Sequence, residues 1–169
     1  MKILDTARLT LRELTEDDSA FILRLLNEPS FVRFIGDRGV RTIDDAHRYL
    51  LNGPIGSYAR FGFGLYLVQL RAEETSIGIC GLIKRENLDD VDIGFAFLPK
   101  FWSNGYAVES GAAVLTHGRD VIGLKRIVAI VSPDNERSMA VLEKLGLRFE
   151  RFIAWPNDGS QLKLYATEA

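Results

Sequence analysis

The run WSNGYA, residues Trp102 to Ala107, has the composition of a loop that binds a phosphate or a pyrophosphate. It follows a predicted strand, Val91 to Leu98, and leads into a predicted helix that begins near Tyr106. Glycine and small side chains let backbone N–H groups approach a ligand, and a helix N-terminus adds positive potential. A tight connection in which Gly105 only eases the turn is the competing interpretation.

A second run, NERSMAVLEKLG from Asn135 to Gly146, predicts a helix capped by the Asn135 side chain. Apolar residues such as Leu142 fall on its buried side, and Ser138 falls in its first turn. A cap of this kind satisfies the free N–H groups of a helix without any ligand. The segment alone therefore leaves a structural and a functional role open.

Other helices and strands must position these two segments. The periodicity of the chain predicts the element order βααβββαβαββ. The first strand alternates apolar and polar residues around Leu9 and Leu11. Two capping boxes, at residues 15–18 and 42–45, predict the first two helices, and residues 52–54 are expected to end the second. Later strands are predicted at 63–70, 77–84, 91–98, 126–131, 147–155 and 160–165, with helices at about 106–121 and 135–145 and a turn at 156–159. Short connections indicate an α+β domain with helices flanking a mixed, mostly antiparallel sheet.

The composition fits one globular domain that spans residues 1–169. The chain is 47% hydrophobic, 10% aromatic and 26% charged, which excludes disordered and fibrous classes. The net charge of −2 gives no general attraction to nucleic acid or to an anionic membrane. One cysteine cannot form an internal disulfide, and neither a signal peptide nor a transmembrane run is visible. We therefore expect a cytoplasmic enzyme or binding protein.

Other candidates for chemistry are weaker. Cys80 lies in a strand-like run with no histidine signal beside it, so we expect a buried structural thiol. His47 and His117 have no ligand partner at metal-binding spacing, so we expect no metal site. Aromatic residues either line an acceptor pocket or belong to the core: Phe31, Phe34, Tyr58, Phe61 and Phe63.

Three segments together resemble one family. They are TARLTLRELTEDD at residues 6–18, DIGFAFLPKFWSNGYAVES at residues 92–110 and PDNERSMAVLEKLGL at residues 133–147. Over nearly its whole length the chain resembles the GCN5-related N-acetyltransferase (GNAT) superfamily, in the branch similar to ribosomal-protein N-terminal acetyltransferases of the RimJ and RimL type.

The resemblance implies a site for acetyl-CoA. It implies that backbone N–H groups of the loop bind the pyrophosphate, and the loop residues are Trp102, Ser103, Asn104, Gly105, Tyr106 and Ala107. It also implies that the strand at residues 94–98 carries a bulge and splays from its neighbour, so that pantetheine pairs with the backbone of Phe97 and Leu98. Asn135 and Ser138 complete the implied cofactor site.

The resemblance further implies direct acetyl transfer to a primary amine, with no covalent acyl-enzyme. Asp92 is the implied general base, acting through water, although a carboxylate beside a turn is also typical of a solvated edge charge. The backbone of Phe97 is the implied oxyanion donor. Ser138 is assigned to the departing thiolate, with Tyr165 as a reserve acid, and Asn135 is assigned to the pantetheine or the substrate.

Five positions depart from the family pattern: Asp92, Ser103, Val108, Ser110 and Leu147. Ser103 stands where the family usually has glycine, which requires either a negative φ or backbone strain. Asp92 is shorter than the glutamate that is frequent in the family.

The sequence thus predicts an acetyl-CoA-dependent N-acetyltransferase that acts on a protein N-terminal amine or a small-molecule amine. A noncatalytic acyl-CoA-binding regulatory module on the same fold is the alternative. In either case we expect no metal, no direct nucleic-acid partner and no membrane partner, and a monomer or a homodimer.

Overall fold

The computed structural model of the protein describes residues 1–156 and 158–168, which form eight strands and six α-helices. The strands are β1 (Lys2–Asp5), β2 (Leu9–Glu13), β3 (Leu65–Leu70), β4 (Thr75–Ile83), β5 (Asp92–Phe97), β6 (Val128–Val131), β7 (Arg148–Ala154) and β8 (Gln161–Ala166). The helices are α1 (Ser19–Leu26), α2 (Pro29–Phe34), α3 (Ile43–Leu50), α4 (Gly56–Phe61), α5 (Tyr106–His117) and α6 (Glu136–Lys144).

All eight strands join one sheet, in the order β1-β2-β3-β4-β5-β6-β8-β7. Neighbouring strands are antiparallel except β5 and β6, which run parallel. The parallel pair is possible because the chain between these strands contains α5, and parallel neighbours need a crossover of that length. The predicted α+β class with a mixed, mostly antiparallel sheet is confirmed.

Helices cover both faces of the sheet. On one face, α1 and α3 bury Leu25 and Leu50 against Leu67 of β3. On the other face, α5 and α6 bury Val114 and Leu142. Each fully buried side chain of this size contributes roughly 1.5–3 kcal/mol of transfer free energy, so the two layers hold the sheet rigidly between them. In the part of the chain that the structure describes, no helix has both the length and the apolar character to span a membrane.

Both predicted capping boxes are present. Thr42 accepts the Asp45 N–H at 3.0 Å, and the Asp45 carboxylate accepts the Thr42 N–H at 3.1 Å. Asp18 accepts the Thr15 N–H at 2.8 Å, and Arg12 binds the same carboxylate through two nitrogens at 2.8 and 2.9 Å. Because the caps satisfy otherwise free N–H groups, they fix the starts of α3 and of the 3-10 turn before α1.

The structure adds three short elements to the predicted order: β1, α2 and α4. In β1 the apolar residues Ile3 and Leu4 are adjacent, so the segment lacks the alternation that marks a strand. α2 has six residues and begins at Pro29 without a side-chain cap. Short uncapped helices leave little periodic signal in a sequence, because their stability comes from tertiary packing.

The expectation that Asn52, Gly53 and Pro54 end the second helix is wrong. The chain instead makes a π-helical turn at Leu51–Ile55, with Pro54 inside it, and continues into α4. Proline lacks the N–H of a regular helical bond, and a wide turn lets the helix pass it. α4 ends at Phe61 and is followed by Gly62, whose φ of +82° is the left-handed conformation that closes helices.

The predicted strand, loop and helix around WSNGYA are found. β5 leads into a 3-10 turn at Pro99–Phe101, and α5 begins at Tyr106. The predicted turn at residues 156–159 lies between β7 and β8, and its residue Asn157 is outside the described residues.

Candidate active site

A cleft opens between β5 and β6. The two strands are bridged at one pair of residues, Asp92 with Val128, where the Val128 N–H donates to the Val91 carbonyl at 3.0 Å. Beyond that pair no further bridge joins them in the described part of the chain, so the strands splay as the sequence predicted. The predicted bulge is not found, since β5 pairs with β4 in unbroken register from Asp92 to Phe97.

The register of β5 decides which of its backbone groups face the cleft. The Leu98 N–H donates to the Ile77 carbonyl of β4 at 3.0 Å. Residues of an antiparallel pair alternate between those that exchange hydrogen bonds and those whose backbone groups point away. Phe97 and Phe95, one and three residues before Leu98, are of the second kind. Their N–H groups therefore point from β4 into the cleft.

Phe97 and Leu98 differ in what their backbones can still bind. The Trp102 Nε1 donates to the Phe97 carbonyl at 2.9 Å, and no described residue accepts the Phe97 N–H. Leu98 donates its N–H to β4, accepts the Phe101 N–H at 2.9 Å and buries its side chain in the core. The Phe97 N–H is open to a ligand, whereas both backbone groups of Leu98 are engaged.

The loop at residues 102–107 presents a row of N–H groups at the start of α5. Gly105 has a φ of +81° at the N-cap, a conformation that glycine adopts without strain. Among residues 1–156 and 158–168, none accepts a hydrogen bond from the N–H groups of residues 103–105. The first N–H groups of α5 likewise have no partner within the helix. This arrangement can bind a phosphate or a pyrophosphate.

Side chains within and beside the loop hold its shape. The Asn104 Nδ2 donates to the Phe101 and Trp102 carbonyls at 3.2 and 3.0 Å. Arg137 of α6 lies 4.7 Å above the Trp102 ring and donates from Nη1 to the Ser103 Oγ at 3.2 Å. Sequence reasoning missed Arg137, although it lies in the run NERSMAVLEKLG, because nothing local shows that α6 packs against the loop.

The backbone of Ser103 is strained, because its φ is +64° and not negative. The left-handed conformation costs a residue with a Cβ roughly 1–2 kcal/mol, a cost that glycine avoids. We expect Ser103→Gly to raise the free energy of unfolding by about 0.5–1 kcal/mol, measured by urea denaturation. Ser103→Ala is the matched control, because it removes the hydroxyl and keeps the strain. If Ser103→Gly were no more stable than Ser103→Ala, the backbone at position 103 would not be strained.

Asn135 and Ser138 lie together at the start of α6. The Asn135 Oδ1 accepts the Ser138 N–H at 3.3 Å, which is the predicted helix cap. Neither the Asn135 Nδ2 nor the half-buried Ser138 Oγ makes a hydrogen bond within the described chain. The cap therefore leaves one polar group of each side chain for a ligand.

Two cavities flank β5 and meet at its free edge. The first, of about 510 Å³, is lined by the loop at residues 102–107 and by α6. The second, of about 480 Å³, is lined by β4, β5, β6 and the start of β8. Phe97 lines the first cavity but not the second, and Leu98 lines neither cavity. The two cavities share Phe31, Phe34, Ile35, Phe95, Ala96, Asn135 and Ser138. Two molecules, one bound in each cavity, can therefore come into contact beside these shared residues.

Asp92 lines the second cavity. Its side chain is 1% exposed, so it is not a solvated edge charge. The Arg85 Nε donates to its Oδ1 at 2.9 Å. Burial raises the pKa of Asp92, and the positive charge of Arg85 opposes this shift. A buried carboxylate with a raised pKa in a cavity is a candidate for acid–base chemistry.

The remaining polar candidates lie away from the cleft. Cys80 is fully buried in β4, and this burial raises the pKa of its thiol to about 12. Tyr165 is buried against Phe149 and lines neither cavity, so the structure does not bring it to the site. Among residues 1–156 and 158–168, no cluster of three His, Cys, Asp or Glu side chains could hold a metal ion.

The five aromatic residues differ in their surroundings: two line the site, Tyr58 and Phe63 pack in the interior, and Phe61 is exposed. Phe31 and Phe34, on α2, line both cavities. Tyr58 packs on Tyr66 and accepts the Leu14 N–H at 3.0 Å, so it has a structural role. Phe61 and Phe63 stack on each other and line neither cavity.

Comparison with known proteins identifies the class that this fold and site define. The acetyltransferase (GNAT) domain family matches residues 8–148, and the chain belongs to this family. The uncharacterized N-acetyltransferase YnaD of Bacillus subtilis is 30% identical over 150 residues, which cover 89% of this chain and 85% of that protein. The predicted GNAT resemblance is confirmed, and so is the predicted class of enzyme, an acetyl-CoA-dependent N-acyltransferase.

Solved structures show the same fold. A GNAT-family acetyltransferase from Bacillus anthracis matches with a TM-score of 0.79 and 27% identity, over 98% of this chain and 97% of that one. RimL, a ribosomal alpha-N-protein acetyltransferase solved in complex with coenzyme A, matches with a TM-score of 0.84 and 19% identity, over 98% and 97%. At that identity the likeness to RimL concerns the fold alone.

Proposed function

We propose that this protein transfers an acetyl group from acetyl-CoA to a primary amine by direct attack, with both substrates bound at once. The observation that carries the proposal is the meeting of the two cavities at Phe95, Asn135 and Ser138. Direct attack requires the amine nitrogen and the thioester carbon to lie about 3–3.5 Å apart. Because the same residues line both cavities, molecules bound in the two cavities can approach each other there. The fully buried Cys80 cannot carry the acyl group between the cavities.

The first cavity offers groups that suit acetyl-CoA. The N–H groups of residues 103–107 and the positive end of α5 suit a pyrophosphate, and Arg137 adds a positive charge beside them. The Phe97 N–H can pair with an extended amide as a neighbouring strand would. Acetyl-CoA itself supplies the thioester that activates the acyl group. Our proposal omits Leu98 from this set because both of its backbone groups are engaged.

The oxyanion donor in our proposal is the Phe95 N–H rather than that of Phe97. Both N–H groups face the cleft, but Phe95 lines both cavities and Phe97 lines the first alone. Negative charge develops on the carbonyl oxygen where amine and thioester meet, so the donor must lie at that junction.

Two side chains handle the protons. As the C–N bond forms, Asp92 receives the amine proton through water, because along the strand it lies about 10 Å from Phe95. As the C–S bond breaks, the Ser138 Oγ donates to the departing thiolate either a hydrogen bond or a proton that the serine regains from water. The Asn135 Nδ2, beside Ser138, is placed to donate to the pantetheine or the acceptor. The products are an amide and free coenzyme A.

Both classes of acceptor fit this proposal. A protein N-terminal amine is the acceptor that the sequence resemblance to the RimJ and RimL type implies. The second cavity, at about 480 Å³, also has room for a small-molecule amine.

The test is acetyl-CoA binding by calorimetry, followed by thiol release with a panel of primary amines. We expect binding, and release with at least one amine that gains one acetyl group by mass spectrometry. Binding with background release for every amine would overturn the proposed transfer and favour the noncatalytic module. Absence of binding would overturn the proposed cofactor site.

Ser138→Ala tests the proton donor. We expect kcat to fall roughly 10²-fold with little change in acetyl-CoA affinity, because the cap uses the Ser138 backbone and not the lost hydroxyl. Thr116→Ala, on the exposed side of α5, is the control and retains the wild-type rate. An unchanged kcat in Ser138→Ala would remove Ser138 from the mechanism.

A further inference from the structure

The charged residues that line the second cavity carry an excess of one positive charge, counted over the described residues. Among the described residues around it, three are arginines, Arg33, Arg38 and Arg85, and two are aspartates, Asp92 and Asp158. An amine acceptor is itself a cation before it loses its proton, so a positive cavity must have another reason. The simplest one is a negative group on the same acceptor.

Both aspartates already have partners. Asp92 accepts a hydrogen bond from Arg85 at 2.9 Å. The Asp158 Oδ1 accepts the Ser160 N–H at 2.9 Å and the Ser160 hydroxyl at 2.7 Å. A second ammonium group on the acceptor would meet three guanidinium groups in this cavity, and the two carboxylates that could attract it are partly engaged, Asp92 by Arg85 and Asp158 by Ser160.

The three arginines differ in their partners: Arg33 and Arg85 each pair with an aspartate through one nitrogen, and Arg38 pairs with no described carboxylate. Arg33 lies 3.5 Å from the Asp134 carboxylate. Arg38, between α2 and α3, donates to no acceptor in residues 1–156 and 158–168. Arg85 engages Asp92 through Nε and keeps both terminal nitrogens, and its guanidinium lies 5.6 Å from the Trp155 ring centroid, which limits its motion.

A tyrosine hydroxyl lies within the field of the two available arginines. Tyr49 lines the second cavity, and its hydroxyl makes no hydrogen bond to a described residue. Burial raises the pKa of Tyr49, and the positive charges of Arg38 and Arg85 act against that shift. One hydroxyl and two guanidinium groups thus line the same cavity as hydrogen-bond donors.

We infer that the acceptor is a primary amine bearing a carboxylate, and that Arg38, Tyr49 and Arg85 bind this carboxylate. The inference rests on the proposed acetyl transfer and names its substrate class. Arg85 also contacts Asp92, so the carboxylate it binds places the amine on the same side as the proposed base. An amino acid supplies this chemistry through its own carboxylate, and a peptide supplies it through an acidic side chain near its N-terminus.

The test compares acceptors that are matched in size and differ in the carboxylate. The pairs are a peptide that begins Ala-Asp against one that begins Ala-Asn, and free leucine against leucinamide, with spermidine as a polycation. We expect kcat/KM for thiol release to be at least tenfold higher for Ala-Asp than for Ala-Asn if peptides are the source. Leucine would be the better acceptor relative to leucinamide if amino acids are the source.

Arg38→Gln separates carboxylate binding from chemistry. Arg38 is exposed, so we expect the variant to fold and its ratio of carboxylate to amide kcat/KM to fall about tenfold, the loss of one charge-assisted hydrogen bond. Because the same two amines are used with the variant and with the wild type, a difference in their intrinsic reactivity does not affect the comparison of the two ratios. Arg119→Gln, exposed beyond α5, is the control and keeps the wild-type ratio.

The outcomes distinguish this inference from the proposed function. A ratio unchanged by Arg38→Gln, or spermidine as the best acceptor, overturns the carboxylate site while acetyl transfer stands. Release with none of these amines or any other, despite acetyl-CoA binding, overturns both.

Discussion

Asp92→Asn lowers kcat/KM for acetylation by roughly 10²- to 10⁴-fold, the range for loss of a general base. The amide keeps the size of the side chain and an acceptor for Arg85 but cannot take a proton. Acetyl-CoA affinity stays within a few-fold, because Asp92 lines the second cavity and not the first. Calorimetry and initial rates measure the two quantities separately.

The pH profile identifies the base. In the wild type, kcat/KM falls as the pH drops through the pKa of Asp92, since a protonated carboxyl cannot accept a proton. Burial raises this pKa above its ordinary value, so the acid limb lies above the usual carboxyl range. Asp92→Asn loses that limb. A variant that retains it at an unchanged pH would show that another group is the base.

Arg85→Gln provides the matched comparison. Removing the guanidinium removes the charge that opposes the effect of burial, so the pKa of Asp92 rises and the acid limb moves to higher pH. If the Arg85–Asp92 pair had only a structural role, Arg85→Gln would lower the free energy of unfolding and leave the acid limb of the kcat/KM profile at the same pH.

The parts of the site that the sequence predicted are local ones. The loop at residues 102–107 is recognisable because strand, glycine-containing loop and helix follow one another directly. The Asn135 cap is likewise set by residues three apart. Such features depend on backbone groups within one or two turns, so the order of residue types is sufficient to find them.

The parts that the sequence did not predict arise between distant segments. Arg137 reaches Ser103 because α6 packs beside the loop, 34 residues away. The N–H groups of Phe95 and Phe97 face the cleft because of the register between β5 and β4, which is fixed by a hydrogen bond from Leu98 to Ile77. The choice of Phe95 over Phe97 depends on the cavities that each residue lines. No periodicity in β5 carries this information.

The cationic lining of the second cavity is the clearest case. Arg38 lies between two helices, Arg85 follows β4, and Tyr49 is on α3, so nothing in the sequence shows that they converge. The charge balance of the whole chain gives no hint either, since its net charge is −2. Local charge follows from the fold, and therefore the sequence alone could not suggest a carboxylate on the acceptor.

Gly81→Ala is expected to lower the free energy of unfolding by about 3 kcal/mol or more, the upper range for overpacking in a core. Gly81 lies in β4, opposite Leu65 of β3 and Gly94 of β5. A Cβ there would overlap the Gly64 carbonyl oxygen and lie 2.7 Å from the Leu65 Cα. These are backbone atoms, so relief requires β3 and β4 to separate. Urea denaturation of both proteins measures the effect.

Gly53→Ala is the matched control, since a Cβ at Gly53 meets no atom within 4 Å. Its unfolding free energy should stay within about 0.5 kcal/mol of wild type or rise, because alanine favours helical backbone. A Gly81→Ala loss below 1 kcal/mol would mean that the sheet yields at β4. The free edge of β5 is held in register by that same strand, so a yielding β4 would also undo the assignment of Phe95 and Phe97 to the cleft.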